Sequence, residues 1–417
     1  EIYTLSLHDA LPILASCIIR RSLLWRLLLF TTWWCAATFS LHAQNIKIGG
    51  NVYGGGNAGD MTGDTKVVVL SGDIQGGVFG GARQANVGGS TYVNLDGAKM
   101  SGDITINYVY GGNAIAGSIG TSDTKTKPDT RLDEHNHHDD MDTYNAFILT
   151  TPERKVTTGE GESAVTTQPH NIFIGQLFGA GNGDYQYTES EGKYIVKNWN
   201  GDNIVTSNEP FVKPNLGKTY LDIHGGTFGY VYGGGNNATV TDLTNICINN
   251  TSTPATHTDV LKLTFANKGS HDGITKFEDL SPAALTNPND IRLLAMGINL
   301  AAFKEGYNFN RIFGGNNKAD MHIMPKWHLD NGKVYNLFSG GNEGRMTSPK
   351  GLLLEVGSKT DPSDIEVDNV YGGCRKADVY PSKDEAGTTL VDNVFSPEGY
   401  HFPKNFAARV LVRSGKV

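Results

Sequence analysis

Three histidines and four acids fall within eight residues in the run Asp133-Glu134-His135-Asn136-His137-His138-Asp139-Asp140. Imidazole and carboxylate together suit a divalent cation, and His-rich tracts are a compositional sign of metal binding. His135, His137, His138, Asp139 and Asp140 are therefore the candidate metal ligands. A zinc site draws its ligands from fixed geometry, and this run lies in a polar stretch without strand or helix pattern. The expectation is a solvated loop, with no metal and no cofactor assigned. A second set of acids, Asp60, Asp64, Asp73, Asp96 and Asp103, recurs early in the chain. Polysaccharide lyases and hydrolases gather carboxylates, often with Ca²⁺ and a basic residue. These acids sit mostly in Gly-Asp turns, and turn chemistry accounts for them. No nucleophile motif, P-loop or dinucleotide fingerprint is present. Gly54-Gly55-Gly56 lacks the Lys-Ser/Thr and the helix that a phosphate loop needs. No catalytic residue is assigned.

The elements that would position any such residue are set by a repeat. An aliphatic residue, an aromatic and a Gly-rich turn recur eight times. The aromatics are Tyr53, Phe79, Tyr110, Phe178, Tyr232, Phe313, Phe338 and Tyr371, separated by 26, 31, 68, 54, 81, 25 and 33 residues. Fixed-period self-similarity marks architectures in which one unit cannot bury its apolar face and stacking completes the core. The short spacings fit one coil of a parallel β-helix, and the long ones fit coils carrying insertions. Alternating stretches such as Thr65-Lys66-Val67-Val68-Val69, Thr91-Tyr92-Val93-Asn94-Leu95 and Thr219-Tyr220-Leu221-Asp222-Ile223 read as half-buried strands. The fold expected is all-β, a right-handed parallel β-helix (β-solenoid) with polar loop insertions and one short helical insertion.

Within that frame the motif residues acquire roles. Glycine allows positive φ or close backbone approach at a corner. Asn follows the glycines in six of eight repeats, and stacked amides can form a ladder. Ala82 and Cys374 stand in its place in the other two, which suggests a cramped inward site. The aromatics are expected to stack as a column, serving the scaffold or, alternatively, gripping sugars. Cys247 and Cys374 are read as small buried residues, with a single disulfide as the alternative.

Three insertions leave the repeat. Residues 118–170 read as a polar loop carrying the His/Asp run, and 197–218 as a shorter polar loop. Residues 249–304 hold Ile291, Leu294, Ala295, Ile298 and Ala302 on one helical face. That helix is expected to cover a groove or pack on the repeats, with a lid over a cleft as the alternative.

The ends carry other information. Residues 1–13, EIYTLSLHDALPI, read as a translated sequencing adapter and are set aside. Residues 14–43 have a basic start at Arg20, Arg21 and Arg26, an apolar run from Leu27 to Leu41, and a small residue, Ala43, before the expected cut. Those are the parts of a signal peptide, here with its start truncated. A spanning helix needs about 20 apolar residues, so no membrane-spanning segment is expected in the mature chain, 44–417. The sequence stops within a repeat at Val417, so the repeat region is expected to be truncated at its C-terminus. A net charge of −8 argues against nucleic acid as partner. Glycine, at 52 residues, lacks the strict period of collagen.

The motif Val231-Tyr232-Gly233-Gly234-Gly235-Asn236 and its seven relatives resemble the Gly-rich "VYGGGN"-repeat, adhesin-like surface proteins of Gram-negative bacteria. The resemblance covers about 46–417. It implies export, a location at the cell surface, outer membrane or outside the cell, and a parallel β-helix. It carries little about activity. The expected function is that of a non-enzymatic surface protein, adhesin-like or structural, contacting glycans or host surfaces. The alternative is a polysaccharide lyase or hydrolase on a β-helix scaffold.

Overall fold

The computed structural model describes residues 46–100, 102–121, 144–152, 172–254, 304, 306–348, 351–357, 363–381 and 407–417, together with the backbone of two short strands, Val156–Thr158 and Val165–Thr167. All of them lie in one compact unit, Asn45–Val417. The leader, the His135–Asp140 run and the expected helix around Ile291–Ala302 lie outside the described residues.

The described chain is all-β. Its single helical element is a 3₁₀ turn, Gly97–Lys99, capped by the Asp96 side chain. Fourteen strands form one sheet. Twelve lie on a single path that goes out and comes back, and every pairing in it is parallel. The outward run holds the motif strands, including Gly72–Phe79, Ile104–Tyr110, Ile172–Phe178, Thr227–Tyr232 and Phe309–Phe313. The return run holds Thr239–Asn249, Asn215–Ile223, Ala146–Thr150, Thr91–Leu95 and Thr65–Val69. The 13-residue strand Lys326–Phe338 belongs to both, pairing with Thr239–Asn249 through its first half and with Phe309–Phe313 through its second.

Strand alternation decides what is buried. Thr65, Val67 and Val69 face in, while Lys66 and Val68 face out. Val78, Val109, Leu177, Val231, Ile312 and Leu337, the aliphatic residues of six motifs, share one buried aliphatic core with Val93, Leu95, Ile148, Leu221, Ile223, Ile246 and Ile248 from the return run. Removing such side chains from water contributes about 1.5–3 kcal/mol each, and no single repeat encloses enough of them.

Two loop assignments are corrected. Residues 118–170 are not loop throughout, because Ala146–Thr150 (AFILT) is a fully buried core strand paired with Thr91–Leu95 and Asn215–Ile223. An apolar pentapeptide between two open edges is more stable paired than solvated. Residues 197–218 likewise contain a strand, Asn203–Ser207. It completes a three-stranded antiparallel sheet with Gln186–Ser190 and Lys193–Lys197.

Candidate functional site

Strand spacing places the motif aromatics in a continuous stack. Neighbouring strands lie about 4.7–4.9 Å apart, and the rings from Tyr53 to Tyr371 follow at centroid separations of 4.5–5.1 Å, with planes within 17°. The expected column is present. It does not form an open platform for sugars, because the rings from Phe79 to Phe338 are buried. Tyr185, Tyr187, Val196, Ile204, Val205 and Phe211, from the antiparallel sheet and its flanks, pack against it. Tyr187 Oη donates to the Ile115 carbonyl at 2.6 Å and Arg83 Nη2 to the Ile204 carbonyl at 3.4 Å, tying this cover down. Tyr371, 44% exposed, is the open end of the stack.

The glycine after each aromatic exists because of the next repeat. A Cβ on Gly54, Gly80, Gly111, Gly179, Gly233 or Gly314 would meet the carbonyl oxygen of the equivalent residue one repeat on, closer than real Cβ atoms come. Beside this column runs a ladder of threonines. Thr65, Thr91, Thr219 and Thr244 donate from Oγ1 to the carbonyls of Gly80, Gly111, Gly233 and Gly314 at 2.5–2.7 Å.

The six motif asparagines divide between two positions. Asn113 and Asn316 stand three residues after their aromatic, fully buried, level with Ala82 and Cys374. Asn113 Oδ1 accepts the Ala82 N–H at 2.7 Å and its Nδ2 donates to the Ala85 carbonyl at 3.0 Å. Asn316 does the same for the Gly235 N–H and the Ala238 carbonyl, at 2.6 and 3.0 Å. Asn57, Asn182, Asn236 and Asn342 stand four residues after, joined there by Asn317. At this second position the amides form a one-directional ladder. Asn342 donates to Asn317, Asn317 to Asn236 and Asn236 to Asn182, at 2.7, 2.8 and 2.9 Å. Arg375 donates into its end at 3.2 Å.

The early acids also serve the backbone. Asp60 accepts from the N–H and the Nδ2 of Asn86 at 2.8 and 3.1 Å, and these bonds hold its carboxyl below the usual range. Asp64 accepts the Ser90 N–H at 2.7 Å, and Asp73 pairs with Lys47 at 3.9 Å. The Asp103 carbonyl accepts the Gly72 N–H at 2.8 Å.

The polar group with the most chemistry in it lies on the return run, at positions that sequence reasoning had not selected. Register brings Asp222 beside Cys247, and Cys247 beside His328. Asp222 Oδ1 lies 2.7 Å from His224 Nε2, both side chains mostly buried. The Cys247 thiol donates to Tyr220 Oη at 3.3 Å, and Asn245 Nδ2 donates to Tyr144 Oη at 3.0 Å. Burial, then the Asp222 charge, pushes the Cys247 thiol up, and burial with Cys247 and Asp222 raises the Tyr220 phenol. A thiol held protonated is a poor nucleophile and a poor metal ligand. Cys247 and Cys374 are both free. Among the described residues no group of three or more His, Cys, Asp or Glu could hold a metal ion. The Asp-x-His pattern at Asp222 and His224 was visible at the end of one strand; its neighbours come from strands about 25 and 105 residues away.

Among the described residues no helix is long and apolar enough to cross a membrane. Comparison with protein-family models, with curated proteins and with solved structures gives no match to this chain.

Proposed function

We propose that the chain is an exported, non-enzymatic surface protein, adhesin-like or structural, whose repeats build a right-handed parallel β-helix. The observation that carries this reading is where the motif side chains are used. Aromatic bonds to aromatic, Asn to the neighbouring backbone or amide, Thr to a glycine carbonyl, each from one repeat to another. A repeat whose recurring residues bond its own neighbours is a scaffold, and scaffolds of this kind present surface. The out-and-back path of parallel strands supports the helical winding. Export rests on the basic and apolar segment before Ala43. Glycans or host surface molecules are the proposed ligands, taken on exposed faces and not on the buried ring column.

The test is expression with residues 14–43 in a Gram-negative host. Antibody labelling of intact cells, lost on protease treatment, is the expected result. Label found only after lysis would overturn the surface assignment. Release of reducing ends or unsaturated uronates from a polysaccharide panel by the purified chain would replace it with the lyase or hydrolase reading.

A further inference from the structure

Trp199, at 64% exposure, is the largest apolar side chain that the described residues leave in solvent. It stands on the turn joining Lys193–Lys197 to Asn203–Ser207 in the small antiparallel sheet. That turn is fixed from within. The Asn198 N–H donates to the Asp202 carbonyl and the Gly201 N–H to the Asn198 carbonyl, both at 3.0 Å. Asn198 Oδ1 accepts the Asp202 N–H at 2.9 Å, and Asn198 Nδ2 donates to Asp202 Oδ2 at 3.1 Å. A large ring held out of the core on a rigid turn loses little entropy when a ligand packs on it.

The surroundings of the ring are polar and balanced in charge. Lys318 Nζ lies 4.8 Å from the ring centroid and donates to Asp184 Oδ2 at 2.6 Å. Asn236 Nδ2 reaches the same carboxylate at 3.4 Å, so Asp184 joins the tryptophan to the amide ladder. Within that ladder Asn317 donates to Asn236 and accepts from Asn342. A side-chain amide carries two N–H groups and two lone pairs. Asn317, half-buried, therefore keeps one N–H and one lone pair beyond the ladder, and Lys318 keeps N–H groups beyond the one given to Asp184. One indole face lies against the ammonium, and the exposure of the residue leaves the other face open.

We propose that Trp199, Lys318 and Asn317 bind a neutral, β-linked hexopyranose chain. The inference rests on the reading of this chain as a surface protein that contacts glycans, and it gives that contact a site. A pyranose offers an apolar C–H face and a rim of hydroxyls. The C–H face packs on the open side of the indole, and the hydroxyls take the free N–H groups of Lys318 and the donor and acceptor of Asn317. The ladder amides repeat at strand spacing, about 4.7–4.9 Å, close to the length of one sugar unit. Equatorial β-linkages keep a glycan extended, so it can follow a straight row. Lys318 and Asp184 cancel in charge, which leaves no net attraction for a uronate. Nucleic acid also stacks on tryptophan, and the net charge of −8 opposes it.

Isothermal titration of the full chain with cellohexaose, mannohexaose and chitohexaose tests this, with hexagalacturonate and polyuridylate as charged controls. At least one neutral hexasaccharide is expected to bind, and Trp199→Ala to weaken that binding about tenfold or more. Trp199→Phe is expected to retain much of the affinity, and Asn317→Ala and Lys318→Met to lose several-fold each. Trp199 is mostly exposed, so circular dichroism of Trp199→Ala is expected to match the parent. Binding unchanged in Trp199→Ala overturns the site and leaves the glycan-contact reading standing. Failure of every neutral hexasaccharide to bind, or binding of the charged controls alone, overturns the proposal, while antibody labelling of intact cells decides the surface reading separately.

Discussion

Asn113 and Gly81 form a matched pair across two repeats. Asn113 Oδ1 accepts the N–H of Ala82 at 2.7 Å, and a Cβ on Gly81 would stand in contact with that same oxygen. Gly234 and Asn316 repeat the arrangement, with the Gly235 N–H as donor at 2.6 Å. The glycine is there to admit its neighbour's amide.

A double-mutant cycle checks that relationship. Asn113→Ala leaves the Ala82 N–H and the Ala85 carbonyl without partners, at a cost of about 1–3 kcal/mol for each unsatisfied group. Gly81→Ala overpacks the same place, at about 1–3 kcal/mol. The double variant is expected to lose less than the sum, because removing the amide removes the obstacle. Strict additivity in urea melts would show the two residues to be independent.

Gly179→Ala is expected to destabilise by about 2 kcal/mol or more, because the added methyl meets the Gly233 carbonyl and the Thr219 side chain. Gly59→Ala, with open space around it, is expected to fall within about 0.5 kcal/mol of the parent. Equal losses at the two sites would mean that the close approach of the Gly233 carbonyl is not what demands glycine at position 179.

The ring column predicts a graded response at Phe178, buried between Tyr110 and Tyr232. Phe178→Ala is expected to cost about 3–5 kcal/mol. Phe178→Leu, which keeps much of the volume and loses the stacking, is expected to lose clearly less. Thermal melts of both variants measure the difference, and a Leu variant as unstable as Ala would make ring stacking the dominant factor.

Tyrosine ionisation opposes the fold in alkali. Burial pushes the phenols of Tyr92 and Tyr108 up to about 12, and the Asp64 charge adds to the effect at Tyr92. A raised folded value means that the associated stability is fully present below the ordinary tyrosine pKa of about 10. It is lost as pH rises through about 12. Absorbance at 295 nm should show Tyr92 and Tyr108 ionising only as the β signal disappears. One transition near pH 10 with an intact β signal would contradict the buried placement.

By itself the sequence determined the all-β class and the recurrence of the motif. Those follow from local chemistry: strand alternation in Thr65–Val69 and Thr91–Leu95, and glycine beside each aromatic. The aromatic column was legible for the same reason, because identical positions in stacked repeats must meet. Only the tertiary structure decided the rest. Ala146–Thr150 became a core strand because two partner strands stood open on either side, which its polar flanks did not reveal. One motif asparagine became two kinds because turns of two and of three small residues after the aromatic place the amide at different depths, as at Asn113 and Asn342. The ring column was closed to ligand by a sheet whose third strand, Asn203–Ser207, comes from a segment read as loop. Asp222, Cys247 and His328 were brought side by side by parallel register, which long connections leave free and only the packed core sets.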